Sequence, residues 1–151
     1  MLPAFAEHVG RIPDLFAKLN EATPLAFSPI GLPQEPAVYA FIEDQKILRI
    51  GRTGNLKRRI QSHMKQDHHS ASFAFKLARE QFHPKPTYKK EGSRGALQQD
   101  TIFMQRFAEQ IARLKRMHMK YILIDDPIDQ YLLELYASMF YGLALDEFDN
   151  H

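Results

Sequence analysis

Between Arg49 and Lys65 the chain carries Arg49, Arg52, Lys57, Arg58, Arg59 and Lys65, with no acidic residue among them. Six cations in seventeen residues suit a phosphate-binding surface, and equally a plain solvated basic face. Gly51 and Gly54 flank Arg52-Thr53 where a strand would give way to a helix. Glycines at such a turn let backbone approach a phosphate, and the N-terminus of a following helix favours an anion. A second basic group, Lys85, Lys89, Lys90 and Arg94 around Tyr88, falls in a stretch with Pro84, Pro86, Gly92 and Gly95, and reads as a loop. Its cations suit salt-dependent contacts to a nucleic-acid backbone. Far along the chain, Glu134 is the only carboxylate between Asp129 and Asp146. Alone, such an acid reads as a solvated group.

Helical geometry adds a detail. Leu56, Ile60 and Met64 are four apart and form an apolar stripe. At roughly 100° per residue, His63 falls about 20° to one side of that stripe and Arg59 about 60°. The two share a side, as residues pointing into a crevice would, whereas Arg58 points away. A half-buried structural histidine has the same position.

These residues need elements to hold them. Phe5, Val9, Ile12, Phe16 and Leu19 predict an amphipathic helix over 4–19, kinked or restarted at Pro13. Pro24, Pro29, Pro33 and Pro36 make the next stretch an extended connector. Residues 37–43 and 46–51, apolar and β-prone across a short polar break, predict a hairpin. Helices follow over 55–66, with Asn55 as its N-cap, and over 72–80 and 96–117; the last turns Ile102, Phe103, Phe107, Ile111 and Leu114 to the core. A strand over 119–124 and a helix over 128–143 complete the order. In that final helix Leu132, Tyr136, Met139, Phe140 and Leu143 form the expected core stripe, and Gln130, Glu134, Ser138 and Tyr141 the polar face. The expectation is an α+β fold, a small, mainly antiparallel three-stranded sheet flanked by helices, with an extra N-terminal helix. The chain divides into a helix and connector over 1–35 and a main domain over 36–151.

Charge is segregated. Residues 1–48 carry a net −3, residues 49–120 a net +12 and residues 121–151 a net −7. The middle segment fits a polyanion partner, or it pairs with the acidic tail. With no cysteine, a disulfide framework, a Cys-based zinc site and a thiol nucleophile are excluded. No apolar run approaches the ~18 residues of a membrane span. The first ten residues hold Glu7 and no Lys or Arg, unlike a secretory signal. The expected setting is cytoplasmic, without membrane contact.

Taken together, Ala37-Val38-Tyr39, then Arg49-Ile50-Gly51, Arg59, His63 and the late Glu134 resemble the GIY-YIG nuclease superfamily. The likeness covers residues 36–150, and the string Arg49 to His63 (RIGRTGNLKRRIQSH) is its most specific part. It implies metal-assisted hydrolysis of DNA phosphodiester bonds. By that likeness Tyr39, Arg59, His63 and Glu134 are catalytic, and Glu134 holds Mg²⁺ or Mn²⁺. Arg59, with help from Arg52, neutralises phosphate charge. Tyr39 orients or deprotonates the attacking water, with His63 as the alternative base. Asn150 matches a late asparagine found in some members. Arg49, Arg52, Lys57, Lys85, Lys89, Lys90 and Arg94 are then the candidate DNA contacts. Two positions depart from the pattern: Ala37 stands where the family has glycine, and Arg49 where it has its second tyrosine. Arg49 cannot act as a base, since it stays protonated. The readings are therefore a DNA endonuclease, a nucleic-acid-binding module that kept the fold without catalysis, and an interaction protein that forms homo-oligomers through its oppositely charged regions.

Overall fold

A computed structural model describes residues 1–65, 70–81 and 101–144. The expected basic loop with Lys85, Lys89, Lys90 and Arg94, and also Asn150, lie outside the described residues.

The elements in order are α1 (Pro3–Glu21), β1 (Leu25–Ala26), β2 (Ala37–Glu43), β3 (Lys46–Thr53), α2 (Leu56–His63), α3 (Ser72–Gln81), α4 (Thr101–Lys115), β4 (His118–Leu123) and α5 (Pro127–Phe140). The fold is α+β. Its sheet is antiparallel with strand order β1-β4-β2-β3. The sheet has four strands where three were expected, because Leu25 and Ala26 in the connector pair with Met119 and His118. α1 runs through Pro13 without a restart.

The described residues form two compact units. One unites residues 1–57 with those from Met117 on; the other runs from Arg58 to Arg116. In the second unit Phe75, Phe103, Phe107 and Ile111 form the core with Ala71, Ala74 and Ala78. Ile102, expected on the core side of α4, is instead 59% exposed. It sits one residue before Phe103, about 100° away around the helix, and the larger ring takes the buried position.

In the first unit the hairpin turn is Asp44-Gln45, both with positive φ, 51° and 64°. Two left-handed residues give the turn whose twist matches paired strands. Ile42 pairs with Ile47, but Phe41 pairs with Arg49, so Leu48 is an extra residue on β3. This bulge decides the faces of the strand beyond it. Without it Arg49 would stand opposite Ala40. With it, Tyr39 faces Gly51, Phe41 faces Arg49, and Arg52 stands opposite Val38. The Val38 face packs on α1 and α5 through Ala40, Ile50, Ile124, Ile12, Leu19, Leu133 and Ala137. On β4 of the same face, buried Lys120 donates to the Asn20 carbonyl at the end of α1 (2.8 Å). That bond satisfies a carbonyl the helix terminus leaves open, and burial lowers the ammonium's pKa.

α5 begins at an Asp126 N-cap whose side chain accepts from the amides of Ile128 (2.8 Å) and Asp129 (3.3 Å), with Pro127 following. Its orientation departs from the expected one in part: Leu132 and Leu143 of the expected stripe pack partly buried against the core. Gln130, Glu134 and Ser138 are buried with Leu133 and Ala137, while Tyr136, Met139 and Phe140 are 44, 66 and 61% exposed. Hydropathy alone assigned the larger apolar stripe to the core. The structure buries a narrower stripe of Leu133 and Ala137, and the polar residues beside it go in with them. Between α1 and α5 an apolar groove of about 290 Å³ is lined by Val9, Ile12, Pro13, Leu132, Leu135, Tyr136 and Met139. No described helix is long and apolar enough to cross a membrane.

Candidate active site

The end of β3 holds the first part of the site. Tyr39 is wholly buried and its ring lies across Gly51. A Cβ at position 51 would overlap Tyr39 Cζ and Oη and come within 2.8 Å of Cε2. Gly51 therefore has a local reason: it makes room for the Tyr39 ring. Arg49 is buried too, opposite Phe41 on the strand face that Tyr39 also occupies.

Arg52 holds the second part. Its Nε is 3.6 Å from Glu134 Oε1, and its guanidinium lies 3.7 Å from the centroid of the Tyr131 ring. Glu134 is 0% exposed. At 3.6 Å the pair attract as charges rather than through a hydrogen bond. The Tyr131 face adds a cation–π contact. One turn before Glu134, Gln130 Nε2 donates to the carbonyls of Thr53 (3.2 Å) and Ile124 (2.8 Å). One side chain thus ties α5 to the ends of β3 and β4, fixing the helix turn that presents Glu134.

α2 starts directly after Asn55, whose amide donates to Thr53 Oγ1 (3.1 Å). The Leu56 amide donates to the Glu35 carbonyl (3.0 Å) and that of Lys57 to Pro33 (3.2 Å). The expectation that this helix N-terminus waits for a phosphate is corrected in part: those two amides already serve the connector. Leu56, Ile60, Arg59 and His63 are buried, Lys57 is half-buried and Arg58 is exposed, as the helical geometry implied. Arg59 donates to the Ser70 carbonyl (3.3 Å) and Ser72 Oγ (3.1 Å). Arg59 and His63 belong to the second compact unit, and Tyr39, Arg49, Arg52 and Glu134 to the first.

Comparison with protein-family models, curated proteins and solved structures gives no match.

A further polar cluster escaped the sequence reading. His8, Asp126 and Asp129 bring ligand atoms within 4.8 Å of one another, a group that could hold a metal ion. Arg11 already places a cation there, with Nε 3.0 Å from Asp129 Oδ2 and Nη2 3.8 Å from Asp126 Oδ2. His8 Nδ1 lies 2.7 Å from Asp129 Oδ1. The cluster clasps α1 to α5. Its signal was the three-residue spacing of His8 and Arg11 on one helix and of Asp126 and Asp129 on the other, which only the packing of the two helices made meaningful.

Burial pushes the Asp129 carboxyl up, but the hydrogen bonds from Arg11 and His8 outweigh it and hold the pKa below the ordinary range. A carboxyl depressed on folding stabilises the protein above its unfolded pKa of about 4, and that contribution is lost as pH falls through the folded value. Asp129→Asn is expected to cost about 1–2 kcal/mol at neutral pH. Urea melts of variant and parent should differ at neutral pH and converge in acid.

By donor type the Glu134 carboxylate suits a hard divalent cation, but it is 0% exposed against the Arg52 guanidinium.

Proposed function

We propose that the chain is a divalent-metal-dependent endonuclease that hydrolyses DNA phosphodiester bonds. The observation that carries this reading is the pairing of Glu134 with Arg52. A wholly buried carboxylate, distant in sequence, sits 3.6 Å from a guanidinium at the strand end bearing the nuclease-like string. Burying a charge is costly, and a polar helix face turned inward is better explained by chemistry than by stability.

Mg²⁺ or Mn²⁺ held by Glu134 would supply Lewis-acid stabilisation of the departing 3′ oxygen. The other roles come from the resemblance. Arg52 and Arg59 neutralise charge developing on the non-bridging phosphate oxygens. Tyr39 orients the attacking water, and His63 is the alternative acceptor of its proton. Lys57 and the cations of residues 85–94 contact the DNA backbone, so binding weakens with salt.

The test is nicking of supercoiled plasmid and cleavage of a branched-DNA set by the purified chain, with Mg²⁺ or Mn²⁺ and with chelator. Cleavage that requires the metal is the expected result. Intact DNA in every condition would overturn the reading.

A second reading has its own observation. Arg49 stands at the second motif tyrosine, and its buried guanidinium cannot serve as a base. It favours a nucleic-acid-binding module with weak or absent catalysis. Under that reading Arg49→Tyr raises cleavage by at least about tenfold. If the wild type cleaves and Arg49→Tyr does not improve it, the second reading fails.

A further inference from the structure

α5 is built inside out for a solvent-facing helix. Its two charged residues, Asp129 and Glu134, are both buried. Its outward side carries Ile128, Leu135, Tyr136, Met139 and Phe140, with no charge among them. On α1, Val9 lines the groove and Phe5 lies one turn before it, and Leu2 precedes the helix as its N-cap, all three exposed. These eight side chains are 38 to 75% exposed. At roughly 200 Å² for each large side chain, they leave on the order of 800 Å² of apolar surface in water. The largest patch on an ordinary monomer is about 300–600 Å². One partner of a standard protein interface contributes about 800 Å².

We infer that this face of α1 and α5 is a two-fold interface between two copies of the chain. The area is that of one side of a stable dimer. The same face carries a hollow and a projection: the apolar groove between the helices, which Met139 lines, and Phe140, 61% exposed and outside that lining. A surface with both can receive its own copy, as a two-fold contact requires. No exposed charge on α5 opposes that copy, and the chain's net charge is only +2. Glu134 lies on the other side of α5, so the interface is independent of the proposed activity.

Sedimentation velocity on the full chain tests it, over about 10 nM to 100 μM, because interfaces of this size range from micromolar to far tighter. The expected result is a shift from one chain to two as concentration rises. Met139→Glu on α5 and Phe5→Glu on α1 should each weaken association by at least about tenfold. Both positions are exposed, so thermal melts monitored by circular dichroism should still show a cooperative fold. Lys46→Glu, on the exposed hairpin, should leave association unchanged. A wild type that stays a single chain throughout would mean that something else covers the face, and would overturn the inference. So would a dimer that survives both glutamate substitutions, or one that Lys46→Glu disrupts as strongly.

Discussion

Under the proposed endonuclease function, Glu134→Gln is expected to lower metal-dependent DNA cleavage at least about a hundredfold, with DNA binding retained. The amide keeps the volume of the side chain and its polarity but not the charge that a hard cation needs. The substitution also leaves the Arg52 guanidinium, 3.6 Å away and nearly buried, without its neutralising charge. Removing one partner of a buried pair costs about 3–5 kcal/mol, so the melting temperature should fall as well. A second variant separates the two effects. Glu134→Gln combined with Arg52→Gln should recover stability without recovering cleavage. Plasmid nicking below the variants' melting temperatures, beside thermal melts, gives both readouts. Cleavage at the parent rate by folded Glu134→Gln would remove this carboxylate from the chemistry.

Gly51→Ala is expected to destabilise the fold by about 3 kcal/mol, the upper part of the overpacking range. For a chain of this length that is a loss of roughly 6–12 °C in melting temperature. The new methyl would overlap the Tyr39 ring at Cζ and Oη. Tyr39 is wholly buried and its ring lies 5.1 Å from that of Phe41, so it has little freedom to retreat. Truncating the ring relieves the overlap, so Gly51→Ala should cost less in a Tyr39→Ala background than in the parent. Thermal melts of the four proteins measure that coupling. An unchanged melting temperature in Gly51→Ala would mean that the ring does not need the space.

Much of this arrangement was legible in the residues. The hairpin follows from two β-prone runs across a short polar break, and α2 from a four-residue apolar spacing that also put Arg59 and His63 inward and Arg58 outward. These are local patterns, and neighbouring residues enforce them. Three features were not legible. The connector's Leu25 and Ala26 become a strand only because β4 offers an edge about 90 residues later. The extra residue Leu48 decides which face of β3 carries Arg49 and which carries Arg52, and no periodicity announces a one-residue bulge. The clasp of His8 and Arg11 on Asp129 joins two helices that sequence distance keeps apart.

The final helix marks the division most clearly. Its existence and place in the chain were legible in the sequence, as a helix expected over 128–143 and found over Pro127–Phe140, because helical spacing is a local pattern. Which side faces inward was not. Hydropathy favours burying Tyr136, Met139 and Phe140, and the chain exposes them in order to bury Gln130, Glu134 and Ser138. That choice follows from what the sheet and the end of β3 present to the helix: two strand-end carbonyls for Gln130 and the Arg52 guanidinium for Glu134. A helix can be specified by its own residues, but its rotation is set by the partners it packs against, and those exist only once the tertiary structure has formed.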